Sequence, residues 1–491
     1  ALADDLIGPE RRRAHRRVAE ALCATRKDDV DAVAAEISDH FLEAGDVQRA
    51  AEYALRAGRR AAAQHAPVAA ASHFNRVLRL LPEDDQARLG LLLEAAAASY
   101  TDSERNPSMA LAVEAHRLAK EVGDPVSEAQ ALRWLWQDRW RSGDSEGAVA
   151  LSAEALRLVE GRDDWTEAWT RQANLRHLAL TGSQNDEVRA LVPGALEVAT
   201  RAGHMEALSQ IHNTRGIIAA FEGENIEAFE AAAQCAVAAH AADAEVSAWQ
   251  NGGYSALWIG HMRRGREWLA RALELAERET PARTDYPRAG LSWAHALTGE
   301  LDAALATAAS PRDSGDIPAR MVALTALTEV HLRRGDLALA RECAEENWRV
   351  AAANGEGQRI DPALAHLVAV RVHDGMPQVE EIIERFLSGA WRPGNHALAT
   401  PNMSHALVVA GAGQRLRRLT EITRDLTSQA SHAHNRAALA LCEGRLSAVE
   451  ADAEAARRWL QEAVVLYRDM PCPAREAEAL LDIAELELRE G

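Results

Sequence analysis

A glycine followed five residues later by an alanine recurs along the chain, and this recurrence constrains the fold more than any other feature. The pairs are Gly45/Ala50, Gly143/Ala148, Gly223/Ala228, Gly265/Ala270, Gly299/Ala304 and Gly335/Ala340. The last four glycines are 42, 34 and 36 residues apart. A period of roughly 30 to 45 residues is typical of stacked helix–turn–helix units. We therefore predict an all-α fold, a right-handed superhelical solenoid of about eleven helix pairs.

The predicted turns are short and polar, as helix hairpins require. They are expected near 102–108, 142–145, 182–185, 222–225, 263–266, 298–301, 334–337, 374–378, 410–414 and 450–453. One helix is predicted over 9–25 and another over 31–44. Glycine and proline mark possible flex points at 281–287, 310–318, 354–362 and 389–401. The predicted division is a helical junction over 1–44 and a solenoid over 45–491.

Composition narrows the function. The chain has 55 basic and 74 acidic residues, a formal charge of −19, so this segment is not expected to bind a phosphate backbone. Its five cysteines form no CxxC pair, which is typical of reduced thiols in a cytoplasmic protein. No run approaches the ~18 apolar residues of a membrane span. No signal peptide is recognised at the start.

The motifs that carry catalysis are missing from the sequence. It contains no GxxxxGK[ST] or HExxH pattern. The glycines near 411 lack the third glycine of a dinucleotide fingerprint. His432 and His434 lie two apart and so point to different faces of a helix. We expect no catalysis, no cofactor and no metal site in this segment.

The repeat resembles the tetratricopeptide (TPR) family. Gly-Asp at the turn is found at Gly45, Gly143 and Gly335, each followed by aspartate. At the family's aromatic position, four residues before the glycine, this chain has His261, His295 and His331. This resemblance implies helix pairing, with departures from the ideal repeat.

The two ends resemble a more specific family, the STAND-type ATPase regulators that include the large ATP-binding regulators of the LuxR type. The first stretch, ERRRAHRRVAEAL followed by AAEISDHFLEAGD and AAEYALRAGRRAAA, resembles their junction after the winged helix. The final stretch resembles the last repeat before the LuxR-type DNA-binding helices, with Asp452, Ala456 and Arg457 on the pattern and Ala451 in place of glycine. The resemblance implies that an ATPase and a DNA reader would flank this chain.

Candidate binding residues come from the helix register. Residues 13, 10, 6 and 3 before each turn glycine share one face of the first helix, which is expected to line a concave groove. The mixture of tryptophan, arginine and amide side chains is unusual for a core and suits a polar small molecule or a peptide. The predicted effector- or partner-binding residues are Gln130, Arg133, Gln137, Trp140, Trp169, Gln172, Arg176, Gln210 and Asn213. A groove that holds only water explains the same residues.

Further along the chain, the residues at the same positions before the turn glycines are more apolar. They are Tyr286, Ala289, Trp293 and Ala296 before Gly299, and Val322, Thr325, Glu329 and Leu332 before Gly335. The preferred hypothesis is the sensory, protein-interaction region of a STAND/LuxR-type transcriptional regulator, with possible self-association. The alternatives are a TPR region attached to a nucleotide cyclase or protein kinase, and a plain protein-binding scaffold. A change in superhelix curvature would carry the signal, because neighbour-only contacts make bending easy.

Overall fold

The computed structural model describes residues 8–64, 66–99, 108–141, 144–181, 185–221, 226–354, 357–372, 379–389 and 393–490. These residues form 25 α-helices and three short 3-10 helices, and no strand occurs among them. The predicted all-α fold is therefore confirmed. The chain divides into two compact units, residues 1–177 and 178–491, which we describe separately.

The first unit holds nine helices, the last of which continues into the second unit. They are α1 (Gly8–Thr25), α2 (Ala34–Glu43), α3 (Val47–Ala63), α4 (Pro67–Leu80), α5 (Arg88–Ala98), α6 (Ser108–Val122), α7 (Pro125–Arg141), α8 (Ser145–Val159) and α9 (Trp165–Thr181). A 3-10 helix, Lys27–Val33, joins α1 to α2. The helix predicted over 9–25 is confirmed, whereas the second one begins at Ala34, after this 3-10 turn.

The second unit continues the pattern. Its helices are α10 (Asn185–Arg201), α11 (Met205–Phe221), α12 (Ala228–Ala238), α13 (Ala242–Ile259), α14 (Met262–Glu279), α15 (Asp285–Leu297), α16 (Leu301–Ala308), α17 (Ile317–Arg334), α18 (Leu337–Asn354), α19 (Gly357–Val372), α20 (Val379–Leu387), α21 (Pro393–Val409), α22 (Gly413–Gln429), α23 (Ala433–Val449), α24 (Ala453–Asp469) and α25 (Pro473–Glu490). Two short 3-10 helices, Pro281–Arg283 and Pro311–Asp313, lie at two predicted flex points.

Consecutive helices pair as the period predicts. Ten such pairs are in contact among the described residues, namely α2/α3, α5/α6, α7/α8 and α11/α12 through α23/α24. First helices of successive pairs also pack on each other, for example α11 on α13, α15 on α17 and α19 on α21. This arrangement is TPR-like. The predicted division at residue 44 stays a prediction.

One hydrogen bond repeats at equivalent positions and shows that the pairs share a register. The Ser38 hydroxyl donates to the carbonyl of Ala50 at 2.8 Å, and the Ser292 hydroxyl donates to the carbonyl of Ala304 at 2.8 Å. Each serine lies seven residues before its turn glycine, and each alanine lies five after it. Both alanines are fully buried. A small residue is needed at these positions, because a larger side chain would hold the two helices apart.

The turn predicted at 263–266 is wrong. Gly265 lies inside α14 and is buried, whereas Gly260 ends α13 with a left-handed φ of +97°. Ala270, expected at the close helix contact, is exposed. Gly265 takes that contact position instead, five residues after Gly260. His261 is consequently not equivalent to His295 and His331 but is the residue that precedes α14.

The second unit contains contacts between distant repeats. Helix α13 packs on α21 and α23, which follow it by about 150 to 190 residues. A Cβ added to Gly260 would lie 2.6 Å from the sulfur of Met470, and the His434 ring lies 3.3 Å from the carbonyl of Leu257. The expectation of neighbour-only contacts is therefore wrong for this unit. Its last helices close back onto its middle ones.

The predicted turns at 143, 182, 223 and 374–378 lie wholly or largely outside the described residues, as does most of 102–108. Where the turns are described, at 298–301, 334–337, 410–414 and 450–453, the predictions are confirmed. No helix among the described residues combines the length and the apolar character that a bilayer crossing requires.

Candidate binding sites

The first unit has an open cleft of about 440 Å³ between α5, α7 and α9, which we call the aromatic cleft. Its lining includes Gln130, Arg133, Trp134, Trp136, Trp165 and Trp169. Three of these, Gln130, Arg133 and Trp169, are predicted binding residues. The i, i+3 spacing of Gln130 and Arg133 puts both on the same face of α7.

Cation–π contacts organise the aromatic cleft. The guanidinium carbon of Arg133 lies 4.1 Å from the ring centre of Trp169 and 4.6 Å from that of Trp134. Trp165 stacks on Trp169 with ring centres 5.9 Å apart and planes 7° apart. The Trp165 side of this stack is accessible to solvent, because Trp165 is 49% exposed. An exposed, pre-ordered aromatic and guanidinium surface suits a planar or acidic group.

The other predicted binding residues of the first unit differ in their burial. Gln137 lies further along α7, and its buried Oε1 has no hydrogen-bond partner among the described residues. Gln172 is buried at 4% exposure, whereas Arg176 is exposed. The side chain of Trp140 lies outside the described residues.

Gln210 and Asn213 belong to α11 in the second unit. Asn213 is buried and accepts a hydrogen bond from the Asn251 amide of α13 at 3.3 Å. Gln210 is half-buried. Neither residue lines the aromatic cleft.

The second unit contains a smaller space, which we call the inner cavity. Its walls come from eight helices between α13 and α25. The lining is Tyr254, Trp258, Tyr286, Trp293, Leu297, Met321, Val322, Thr325, Glu329, Asn347, Pro362, His366, Leu398, Pro401, His434 and Arg475. Most of the surface is apolar, with a few polar groups gathered at one side.

The polar side of the inner cavity is built around the buried carboxylate of Glu329. One of its oxygens accepts hydrogen bonds from His366 at 2.8 Å, Asn402 at 2.7 Å and Arg475 at 2.8 Å. The other oxygen lies 3.1 Å from Arg333. These donors come from α19, α21, α25 and α17, so the carboxylate ties four helices together.

This environment fixes the charge of Glu329. Burial by itself raises the pKa of the carboxyl group, but Arg475, Arg333 and the bonded His366 hold that pKa well below its usual value. Arg475 is also paired with Glu478 at 2.7 Å. The ionised groups of this network are therefore compensated within the protein.

The register rule finds much of the inner cavity. Tyr286, Val322 and Leu398 lie 13 residues before Gly299, Gly335 and Gly411, and Thr325 and Pro401 lie 10 before the last two. Trp293 and Glu329 lie six before their glycines. Tyr254 has the same place relative to Gly260. The turn predicted at Gly265 does not place Tyr254 in this set. No sequence signal indicated His366 or Arg475, which reach the cavity through distant contacts.

Comparison with known proteins gives no family. No family model matches the chain, and no curated protein is significantly similar. Among solved structures, the Cut9-Hcn1 hetero-tetramer of the APC/C is similar at 13% identity over 97% of both chains, with a TM-score of 0.39. Yeast Tom70 is similar at 12% identity over 98% of this chain and 96% of its own, with a TM-score of 0.33. Since both TM-scores are low, the fold assignment rests on the helix pairing described above.

Proposed function

We propose that this chain is the non-catalytic, cytoplasmic binding region of a STAND/LuxR-type transcriptional regulator, and that an effector or partner occupies the aromatic cleft. The observation that carries the proposal is the convergence of Gln130, Arg133 and Trp169 on one accessible surface. These residues come from α7 and α9, which precede the turns predicted at 142–145 and 182–185, and the first helices of such pairs present the binding surface in helical-repeat proteins.

The chemistry of the cleft favours a ligand with a planar or acidic group. Arg133 already lies against two indole rings, so its guanidinium is held in place before any ligand arrives. Pre-ordered groups reduce the conformational entropy lost on binding. A carboxylate or a flat ring could contact Arg133 and Trp165 together, and a peptide side chain offers either group as readily as a metabolite does.

The regulatory role is supported by the resemblance at the two ends. In the final stretch Ala451 adopts the left-handed conformation (φ of 63°) that the family gives to glycine. Asp452 caps α24 by accepting from the amide of Ala455 at 3.0 Å, and Ala456 is fully buried. An effector would control a joined ATPase only by binding one conformation of this region more tightly than another.

Intrinsic tryptophan fluorescence tests the binding site. The chain is titrated with panels of organic acids, nucleotides and acidic peptides, and at least one compound is expected to change the emission in a saturable way. Trp169→Leu and Arg133→Leu should each weaken that response about tenfold or more. Arg264→Leu removes a cation–π contact of 5.2 Å with Trp268, away from the cleft, and should leave the response unchanged.

The alternatives predict different results. A plain scaffold would bind a peptide through the same residues and respond to no metabolite. The regulator assignment fails if the complete reading frame encodes neither an ATPase nor a helix-turn-helix, and a cyclase or kinase in that frame would favour the signalling-enzyme alternative.

A further inference from the structure

The aromatic wall of the inner cavity is rigid and offers ring faces. Tyr254 stacks on Tyr286 with ring centres 4.9 Å apart, and its hydroxyl donates to the Tyr286 carbonyl at 2.9 Å. Trp293 also lies near Tyr254, with ring centres 6.2 Å apart. The hydroxyl of Tyr254 is thus already used within the wall, and what this side offers a ligand is chiefly apolar, polarisable surface.

The charged groups at the inner cavity are balanced. Glu329 and Glu478 face Arg333 and Arg475 through contacts of 2.7 to 3.1 Å. A charged ligand would add an ion without a counter-ion to this already paired network, which is unfavourable away from bulk water. The inner cavity therefore selects against ions and in favour of uncharged molecules.

One polar atom at the cavity is left without a partner. His366 is 4% exposed and its Nδ1 has no hydrogen-bond partner among the described residues. An ionised carboxylate only accepts hydrogen bonds, so the Nε2 of His366 must carry the proton that Glu329 receives. Nδ1, the second ring nitrogen, is left without a partner, and such a buried polar atom is costly to leave unmatched.

We infer that the inner cavity is a binding site for a small, uncharged ring compound that carries a hydroxyl group. The ring would lie against Tyr286 and Trp293, and the hydroxyl would form a hydrogen bond with Nδ1 of His366. This site is separate from the aromatic cleft, so the inference does not depend on the proposed function.

Phenol is a suitable probe, with toluene and benzoate as matched comparisons. Binding to the whole chain is measured by ligand-observed NMR and by tryptophan fluorescence. Phenol is expected to bind about tenfold more tightly than toluene, which lacks the hydroxyl, and benzoate is expected not to bind. Equal affinities for phenol and toluene would overturn the role of His366, and the absence of phenol binding would show that the cavity holds only water.

A cavity-filling variant locates the site. Val322 lines the inner cavity and is only partly buried, so Val322→Phe should occupy the space and abolish phenol binding. Val237→Phe makes the same change at a side chain that is 54% exposed and should bind phenol normally. Retained binding in Val322→Phe, with both variants folded by circular dichroism, would overturn the inference. Trp169→Leu should leave phenol binding intact, which separates this test from that of the aromatic cleft.

Discussion

Replacing Gly260 with alanine tests whether the last helices of the second unit close onto its middle ones. Gly260 has a φ of +97°, and an added Cβ would lie 2.6 Å from Met470 Sδ and 3.2 Å from the Cβ of Ala433. Gly335 ends α17 in a similar left-handed conformation (φ of +77°), but nothing lies within 4 Å of an added Cβ. The two glycines are a matched pair that differ in their distant contacts.

The expected costs follow from these distances. A left-handed alanine costs about 1–2 kcal/mol at either position. Gly260→Ala adds a steric conflict of about 1–3 kcal/mol, because Met470 is 3% exposed and cannot swing into solvent without moving the core. We expect Gly335→Ala to lose about 1–2 kcal/mol of unfolding free energy and Gly260→Ala about 2–5 kcal/mol.

Urea unfolding followed by circular dichroism measures both variants, and a double-mutant cycle isolates the distant contact. In a Met470→Ala background the conflict is relieved, so Gly260→Ala should cost less there than in the parent chain. If the cost of Gly260→Ala is the same in both backgrounds to within about 0.5 kcal/mol, the closure described here is wrong.

Three further predictions concern buried charges and a helix cap. Arg475→Met leaves Glu329 buried with one fewer cation and should cost about 3–5 kcal/mol in urea unfolding; a loss below about 1 kcal/mol would mean the pair is solvated. Burial lowers the pKa of His396 to about 3 and that of His434 to about 4, against 6.5 unfolded, so the unfolded state binds more protons between these values. Stability should be intact above pH 6.5 and fall by up to ~1.4 kcal/mol per pH unit for each histidine as the pH drops towards 4, and a melting temperature that is flat over this range would contradict it. Asp452→Ala removes the cap of α24 and should cost about 1 kcal/mol, whereas Asp452→Asn should be nearly neutral.

The repeat period predicted the pairing and much of the lining because both depend on local spacing. Helix periodicity places residues 13, 10 and 6 before a turn on one face whatever the partner. That rule predicts that Trp293, Thr325 and Glu329 face inward. It also brought Gln130 and Arg133 to one cleft with Trp169.

The misplaced turn shows where spacing is ambiguous. Gly260 and Gly265 are five apart, the same separation as a turn glycine and its contact residue. Glycine serves either position, since it tolerates a positive φ and also permits close packing. The decisive difference is burial of residue 265 against exposure of Ala270, which the period does not encode.

The charge network around Glu329 could not be predicted from the sequence for another reason. Arg475 lies 146 residues from it in the chain. A repeat pattern describes how each unit meets its neighbour and says nothing about which distant units touch. The register correctly placed Glu329 inside, but not its partners.

The salt bridge between Glu329 and Arg475 has a consequence for biosynthesis. Arrays held only by adjacent units can fold pair by pair as they leave the ribosome. Here the carboxylate on α17 pairs with a guanidinium on α25. The second unit therefore stays incomplete until α25 has been translated. During that interval its aromatic interior is open to water and to chaperones. Ribosome-bound nascent chains that stop before α25 should therefore be far more sensitive to protease than chains that include it.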